Sequence, residues 1–239
     1  VALARSDVRF RTKQEYVYQT LRSAILQGEL SPGQRLVIDE ISRQLQVSAI
    51  PIREALQLLQ AEGLVVSSPH VGATVAPISE DEVHEVFAIM EGLETVGVRA
   101  AAARMGADEE ARLRALIGEM DEALASARYE RWAEGNGRLH RMIGEIARMP
   151  LLAEMTDRVL SRWERLRRHY FQGVLVPRLP QAQGEHHLLL DALARRDADE
   201  AERVVRAHNR AALASYAEFL RLASTGGPVP PAPLSHSSQ

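Results

Sequence analysis

Asn136 and His140 stand four residues apart in "GNGRLHRM", a spacing that puts both side chains on one face of a helix. Imidazole, as a ligand type, suits zinc, nickel, manganese or iron. The chain has eight histidines and no cysteine, so disulfides and thiolate metal sites are excluded. A second group of residues implies a different chemistry. "VSAIPIREAL", residues 47–56, opens a helix with Ser48 as N-cap and Pro51 in the first turn, where amides have no helical acceptor. Ile52, Ala55, Leu56 and Leu59 form its apolar stripe, which turns Ala49, Arg53, Gln57 and Gln60 outward. Arg53 can fork onto guanine O6/N7 or a phosphate, and Ser48 with the free N–H groups of the helix start suits a phosphate.

These residues need elements to position them. Val17, Leu21, Ala24 and Ile25 recur at helical spacing, which predicts a helix at about 14–27 ended by Gly28, with "SPG" at 31–33 as a turn. A short helix follows, with Ile38, Ile41 and Leu45 on one face, and the Ser48 helix runs to Glu62-Gly63. After Gly63 the period becomes strand-like, and "LVVSS" and "ATVAP" around "PHVG" read as a hairpin. Three helices and a hairpin make a winged helix-turn-helix over 14–78, preceded by an arm at 1–13. Residues 79–223 show only helical patterns, at Glu80–Arg104, Asp108–Ala127, Arg131–Arg148, Leu151–Gly173, Gln181–Arg195 and Asp197–Ala223. Six helices with short connections predict an antiparallel bundle, so the fold class is mostly α. The tail at 224–239 is rich in Pro, Gly and Ser and is expected to be disordered.

With 46% apolar and 26% charged residues over 239 positions, the chain reads as soluble and foldable. The net charge of −3 argues against a general nucleic-acid sponge. Residues 1–78 carry eight Lys/Arg against seven Asp/Glu, the rest 21 against 25, so any basic face is local. No apolar run approaches the roughly 20 residues of a membrane span, and "VALARSDVRFRTK" lacks a signal-peptide core. The expected location is cytoplasmic.

The segments "LRSAILQGELSPGQRL", "VSAIPIREALQLLQAEGLV" and "HVGATV" resemble the DNA-binding domain of the GntR family of bacterial transcription regulators. The bundle resembles the all-helical effector (FCD) domain of its FadR-like subgroup. The resemblance implies a homodimeric repressor that binds double-stranded operator DNA and answers to a small-molecule effector. It places the Ser48 helix in the major groove and the hairpin tip in the adjacent minor groove. The implied DNA-binding residues are Arg35, Arg43, Ser48, Ala49, Ile50, Arg53, His70 and Gly72, helped by Arg5, Arg9, Arg11 and Lys13 of the arm. Three positions depart from the family pattern. Ala49 replaces an arginine, Ile50 a threonine or serine, and Gln46 a usual glycine. Ala49 and Ile50 can touch a thymine methyl, so the operator should differ from that of typical relatives.

In the bundle, "EHHLLLDALARRDADEAERVVRAH" resembles the last two helices of the effector domain, with His186 and His208 at its metal-ligand positions. The implied ligand set is Asn136, His140, His186 and His208, with neutral Asn136 where relatives carry aspartate. Such a set is expected to leave the ion's double charge uncompensated and so to favour an anionic ligand such as a carboxylate. Relatives that bind carboxylates often carry an arginine where this chain has Met90, four residues before Glu94. The missing charge would then come from the metal or from an arginine such as Arg138 or Arg162, although a more apolar effector is equally open. His84, His169 and His236 read as packed or solvated, and His187 as a surface residue or a stand-in for His186. An enzyme is the rival class, since three imidazoles around an open metal position can activate water, and a purely structural metal or polar cluster with DNA binding not gated is a third reading. No H-E-x-x-H, nucleophile elbow or phosphate-cradling glycine loop is present, so the expected answer is a regulator.

Overall fold

The computed structural model describes residues 12–68 and 72–224. The chain divides into two compact units, with the boundary between Ser79 and Glu80. The first holds α1 (Lys13–Leu26), β1 (Arg35–Leu36), α2 (Ile38–Leu45), α3 (Ala49–Ala61), β2 (Val65–Ser68) and β3 (Gly72–Val75). Thr12 caps α1 by accepting the Glu15 N–H at 3.0 Å. Val17, Leu21 and Ile25 of α1 pack with Ile52, Ala55 and Leu59 of α3 in one core. Arg22 Nε donates to Glu62 at 3.0 Å, and Tyr18 also bonds Glu62, so the end of α3 is tied to α1.

The wing is a three-stranded antiparallel sheet of order β1-β3-β2. β2 pairs with β3 from Val65↔Val75 to Ser68↔Gly72, as the hairpin reading requires, while Arg35↔Thr74 adds a strand absent from it. Two residues are too short to show alternation, so β1 is a product of the pairing. The turn between α2 and α3 differs in detail too. Ser48 occupies the N-cap of α3 with extended backbone, but its side chain makes no capping hydrogen bond. Pro51 is the third helical residue and has no N–H, which removes one of the two donors an N-cap hydroxyl normally meets.

The second unit packs six helices among its described residues: α4 (Glu80–Arg104), α5 (Ala107–Ala125), α6 (Tyr129–Ile146), α7 (Pro150–His169), α8 (Val176–Ala194) and α9 (Ala198–Ser224). Its core runs through Leu113, Ile117, Met120, Trp132, Leu139, Leu179 and Val205. The fold is therefore mostly α, a winged helix-turn-helix plus a helical bundle. The largest departure from the sequence pattern lies between α7 and α8, where Phe171–Leu175 form a π-helical segment. Gly173 belongs to this segment, and a Cβ there would lie 2.2 Å from Phe219 Cε2, so α9 packs where only glycine leaves room. α8 also begins before its prolines. Pro177 occupies the first turn, and Pro180 forfeits a single amide donor near the helix start.

Candidate functional site

The first unit presents the DNA-reading candidates on its surface. Arg35, Arg43, Ser48, Ile50 and Arg53 are exposed, and Ala49 is partly so. Arg35, Arg43 and Arg53 have no ion pair among the described residues, whereas Arg22 is held by Glu62. Ile50 is 67% exposed. The turn that aims α3 is fixed by Ser42 Oγ donating to the Val47 carbonyl at 2.7 Å. Gln46 within it takes φ 55° and ψ 44°, the left-handed conformation that favours glycine. Gly72 at the wing has φ +88° with open space around it. His70, Arg5, Arg9 and Arg11 lie outside the described residues, as do 225–239 of the tail.

The second unit builds a buried polar centre from α4, α6, α8 and α9. Asn136, His140, His186 and His208 are brought together as the four-residue set requires in its histidine part. One nitrogen from each of His140, His186 and His208 lies within 4.8 Å of the others. The ring centroids are 6.0 Å apart for His140–His186, 5.7 Å for His140–His208 and 4.9 Å for His186–His208. Asn136, on the same helix face as His140, is buried and its Oδ1 has no hydrogen-bond partner. Both ring nitrogens of His186 are likewise buried and unpartnered. Buried polar atoms are rarely left in this state; Asn136 lines the same cavity as His140 and His208.

Two carboxylates orient the rings. Glu94 Oε1 is 2.6 Å from His140 Nδ1, and Asn209 Nδ2 donates to its other oxygen at 2.7 Å. Glu185 Oε2 is 2.7 Å from His208 Nδ1 and accepts from Arg178 Nη2 at 2.8 Å. With Nδ1 engaged, Nε2 is the nitrogen that His140 and His208 can offer to an ion, the usual division of labour in carboxylate–histidine–metal sites. Trp132 stacks on His186 at 5.6 Å and is itself held by Gln183, which accepts its Nε1–H at 2.7 Å. These outer carboxylates revise the expectation of an uncompensated ion. Asn136 is neutral, but Glu94 and Glu185 bring negative charge one residue further out.

Burial pushes the His186 imidazole well below its usual pKa, helped by His208, His140 and Arg178 nearby, and burial likewise lowers His208. Both rings are neutral and ready to donate a lone pair. Burial also disfavours charge on His140, but the Glu94 carboxylate outweighs it and raises the ring above its usual value. Glu94 in turn sits low despite its burial, because His140 and Asn209 stabilise its charge.

A cavity of about 40 Å³ adjoins the centre, room for a few water-sized groups. Met90, Asn136, His140 and His208 line it, and the arginine among its lining residues is Arg178. Arg138 lies exposed in an ion pair with Glu119 at 2.6 Å, and Arg162 on α7 is not among the lining residues either. Of the arginines, Arg178 lines the cavity, and it is paired there with Glu185. A signal for it was present in the sequence: Arg178, Ala182 and His186 are i, i+4 and i+8 of one helix stripe. The two prolines around Arg178 masked that stripe. Glu94 and Glu185 as orienting groups had no comparable signal. His187 points about 100° away from His186 and meets Asp121 at the surface.

Residues 13–75 match the gntR family of bacterial regulatory proteins, and residues 85–211 match the FCD domain. The chain belongs to the GntR family and carries an FCD domain. It is 26% identical over 211 residues to the HTH-type transcriptional regulator BphR of Paraburkholderia xenovorans, covering 86% of this chain and 85% of that one. It is 26% identical over 194 residues to the HTH-type transcriptional repressor RspR of Escherichia coli, covering 81% and 84%. The solved structure of E. coli McbR/YncC has the same fold, with a TM-score of 0.70 at 23% identity over 88% of this chain and 100% of that one. This protein is a transcription regulator and not an enzyme. Among the described residues no helix is long and apolar enough to cross a membrane.

Proposed function

We propose that the protein is a homodimeric, cytoplasmic repressor whose grip on a near-palindromic operator is set by a small ligand bound beside a metal in the helical domain. One recognition helix reads only a few base pairs, and a dimer doubles that. The exposed, unpaired Arg35, Arg43 and Arg53 beside an outward-facing α3 support the DNA half of the reading. RspR, named a repressor, supports the direction of control. Arg53→Ala should cost specific binding strongly while Glu110→Ala on the bundle leaves it intact. Retention of genomic fragments over competitor DNA tests this, and a wild-type protein that selects none refutes it.

The observation that supports the regulatory half is the meeting of His140, His186 and His208 nitrogens, with Asn136 Oδ1 unpartnered on the cavity that His140 and His208 line. The donor set fits a divalent transition metal, and Asn136, His140, His186 and His208 would hold it. When bound, such an ion supplies a Lewis-acidic position for an anionic ligand. Met90 and Arg178, which line the cavity, would contact that ligand. Ligand binding coupled to a change of dimer arrangement would alter operator affinity, with a coupling typically about 1–3 kcal/mol. Elemental analysis of protein purified without added metal tests the centre. Absence of metal after reconstitution at neutral pH would reduce it to a polar cluster.

A further inference from the structure

The three histidines of the buried centre are not held in the same way. His140 and His208 each engage a carboxylate through Nδ1, Glu94 at 2.6 Å and Glu185 at 2.7 Å. His186 is 1% exposed, and neither of its ring nitrogens has a hydrogen-bond partner. No hydrogen bond therefore fixes its ring plane, although a ligand ring must be aimed to be of use.

Trp132 supplies the missing restraint. Its indole is fully buried and lies nearly parallel to the His186 ring, with 5.6 Å between centroids and 22° between planes. That is the offset stack which aromatic pairs prefer. His140 and His208 meet the same ring at 80° and 43°, so neither shares its plane. Trp132 also belongs to the α6 stripe that carries Asn136 and His140, at i, i+4 and i+8.

The indole is itself locked. Gln183, buried one turn before His186 on α8, accepts the Trp132 Nε1–H at 2.7 Å. Gln183 Nε2 donates to Asp121 Oδ1 at 2.6 Å and to the Ile117 carbonyl at 3.2 Å, both on α5. One donor and two acceptors surround this amide, so only one of its two flip states satisfies all three. Turning the indole would strand its N–H and the Gln183 oxygen in the core. Stacking also favours the metal-bound ring. Coordination draws electron density from an imidazole, and an electron-poor ring is attracted to the face of an indole within about 6 Å. We infer that Trp132, locked by Gln183, is the positioning residue of His186, serving it by stacking as Glu94 and Glu185 serve the other two rings by hydrogen bonding. This rests on the reading of the three histidines as metal ligands.

The test measures zinc affinity of the full chain by competition with a chromophoric chelator, alongside long-range proton–nitrogen NMR spectra of the histidine rings. Trp132→Leu should weaken zinc by about 10- to 100-fold, the usual effect of removing a group that orients a ligand. In its spectrum the metal-bound nitrogen shift should be lost at His186 and kept at His140 and His208. Trp132→Phe keeps a ring face and should recover part of the affinity. Gln183→Met, which leaves the indole in place but unlocked, should fall between wild type and Trp132→Leu. Wild-type zinc affinity in a folded Trp132→Leu overturns the inference. So does loss of the metal-bound shift at all three rings alike, since that is a general loosening of the core. Trp132→Phe no better than Trp132→Leu overturns the stack as the restraint. If Trp132→Leu does not fold, Trp132→Phe and Gln183→Met decide, and wild-type affinity in both refutes the role. Wild type that takes up no zinc sinks the metal reading and this inference with it, whereas normal uptake by wild type and Trp132→Leu sinks this inference alone.

Discussion

Ala49→Arg restores the charge that the family pattern carries at the start of the recognition helix, and the structure allows its effect to be worked out. Ala49 is the first residue of α3, partly exposed, between an uncapped Ser48 hydroxyl and the exposed Ile50. No acidic residue stands in the first turn of α3 to absorb a new cation. The helix dipole opposes positive charge at this end by about 0.3–1 kcal/mol, so the free variant should lose up to that much stability. On DNA the balance reverses. One charge-assisted contact to a phosphate is worth about 1.5–3 kcal/mol, or roughly 10- to 150-fold in affinity at low salt. Neutralising one further phosphate steepens the log–log salt dependence by about 0.9, so the advantage shrinks roughly 3.5-fold between 50 and 200 mM salt. Fluorescence anisotropy on one duplex across that series reads both quantities. Parallel plots for variant and wild type would refute the phosphate contact, and weaker binding at every salt concentration would refute the approach of this helix end to DNA.

Other outcomes follow from single contacts. Gln46→Gly relieves the left-handed backbone in the α2–α3 turn and should stabilise the first unit by about 0.5–1 kcal/mol, read as a higher Tm; a lower Tm would mean that the strain is absent. Gly173→Ala drives a methyl into Phe219 and should cost about 1–3 kcal/mol in urea unfolding, against no change if the π segment can yield. His140→Ala/His208→Ala should abolish metal retention in elemental analysis without affecting binding of a non-specific duplex by the first unit. Asn136→Asp, which adds a charged oxygen to the same set, should tighten the metal against a competing chelator, and unchanged competition would exclude Asn136 as a ligand.

What the chain determines by itself is local and periodic. The stripe Ile52, Ala55, Leu56, Leu59 fixes which face of α3 is buried, so the outward Arg53 and Gln57 follow from spacing alone. Gly28, the "SPG" turn and Pro51 mark element ends through backbone chemistry that needs no tertiary contact. Asn136 and His140 share a face because four residues are about one helical turn. Tertiary structure decided the rest. β1 exists only because Arg35 and Leu36 lie beside β3. The π segment exists where Gly173 admits Phe219 of α9, a contact between residues distant in the chain. His140 becomes an oriented ring through Glu94 on α4, and His208 through Glu185 on α8. Arg178 reaches the cavity, and Arg138 does not, because helix rotation within the bundle is set by the packing of whole faces. No spacing along one helix encodes where the neighbouring helix will present its side chains.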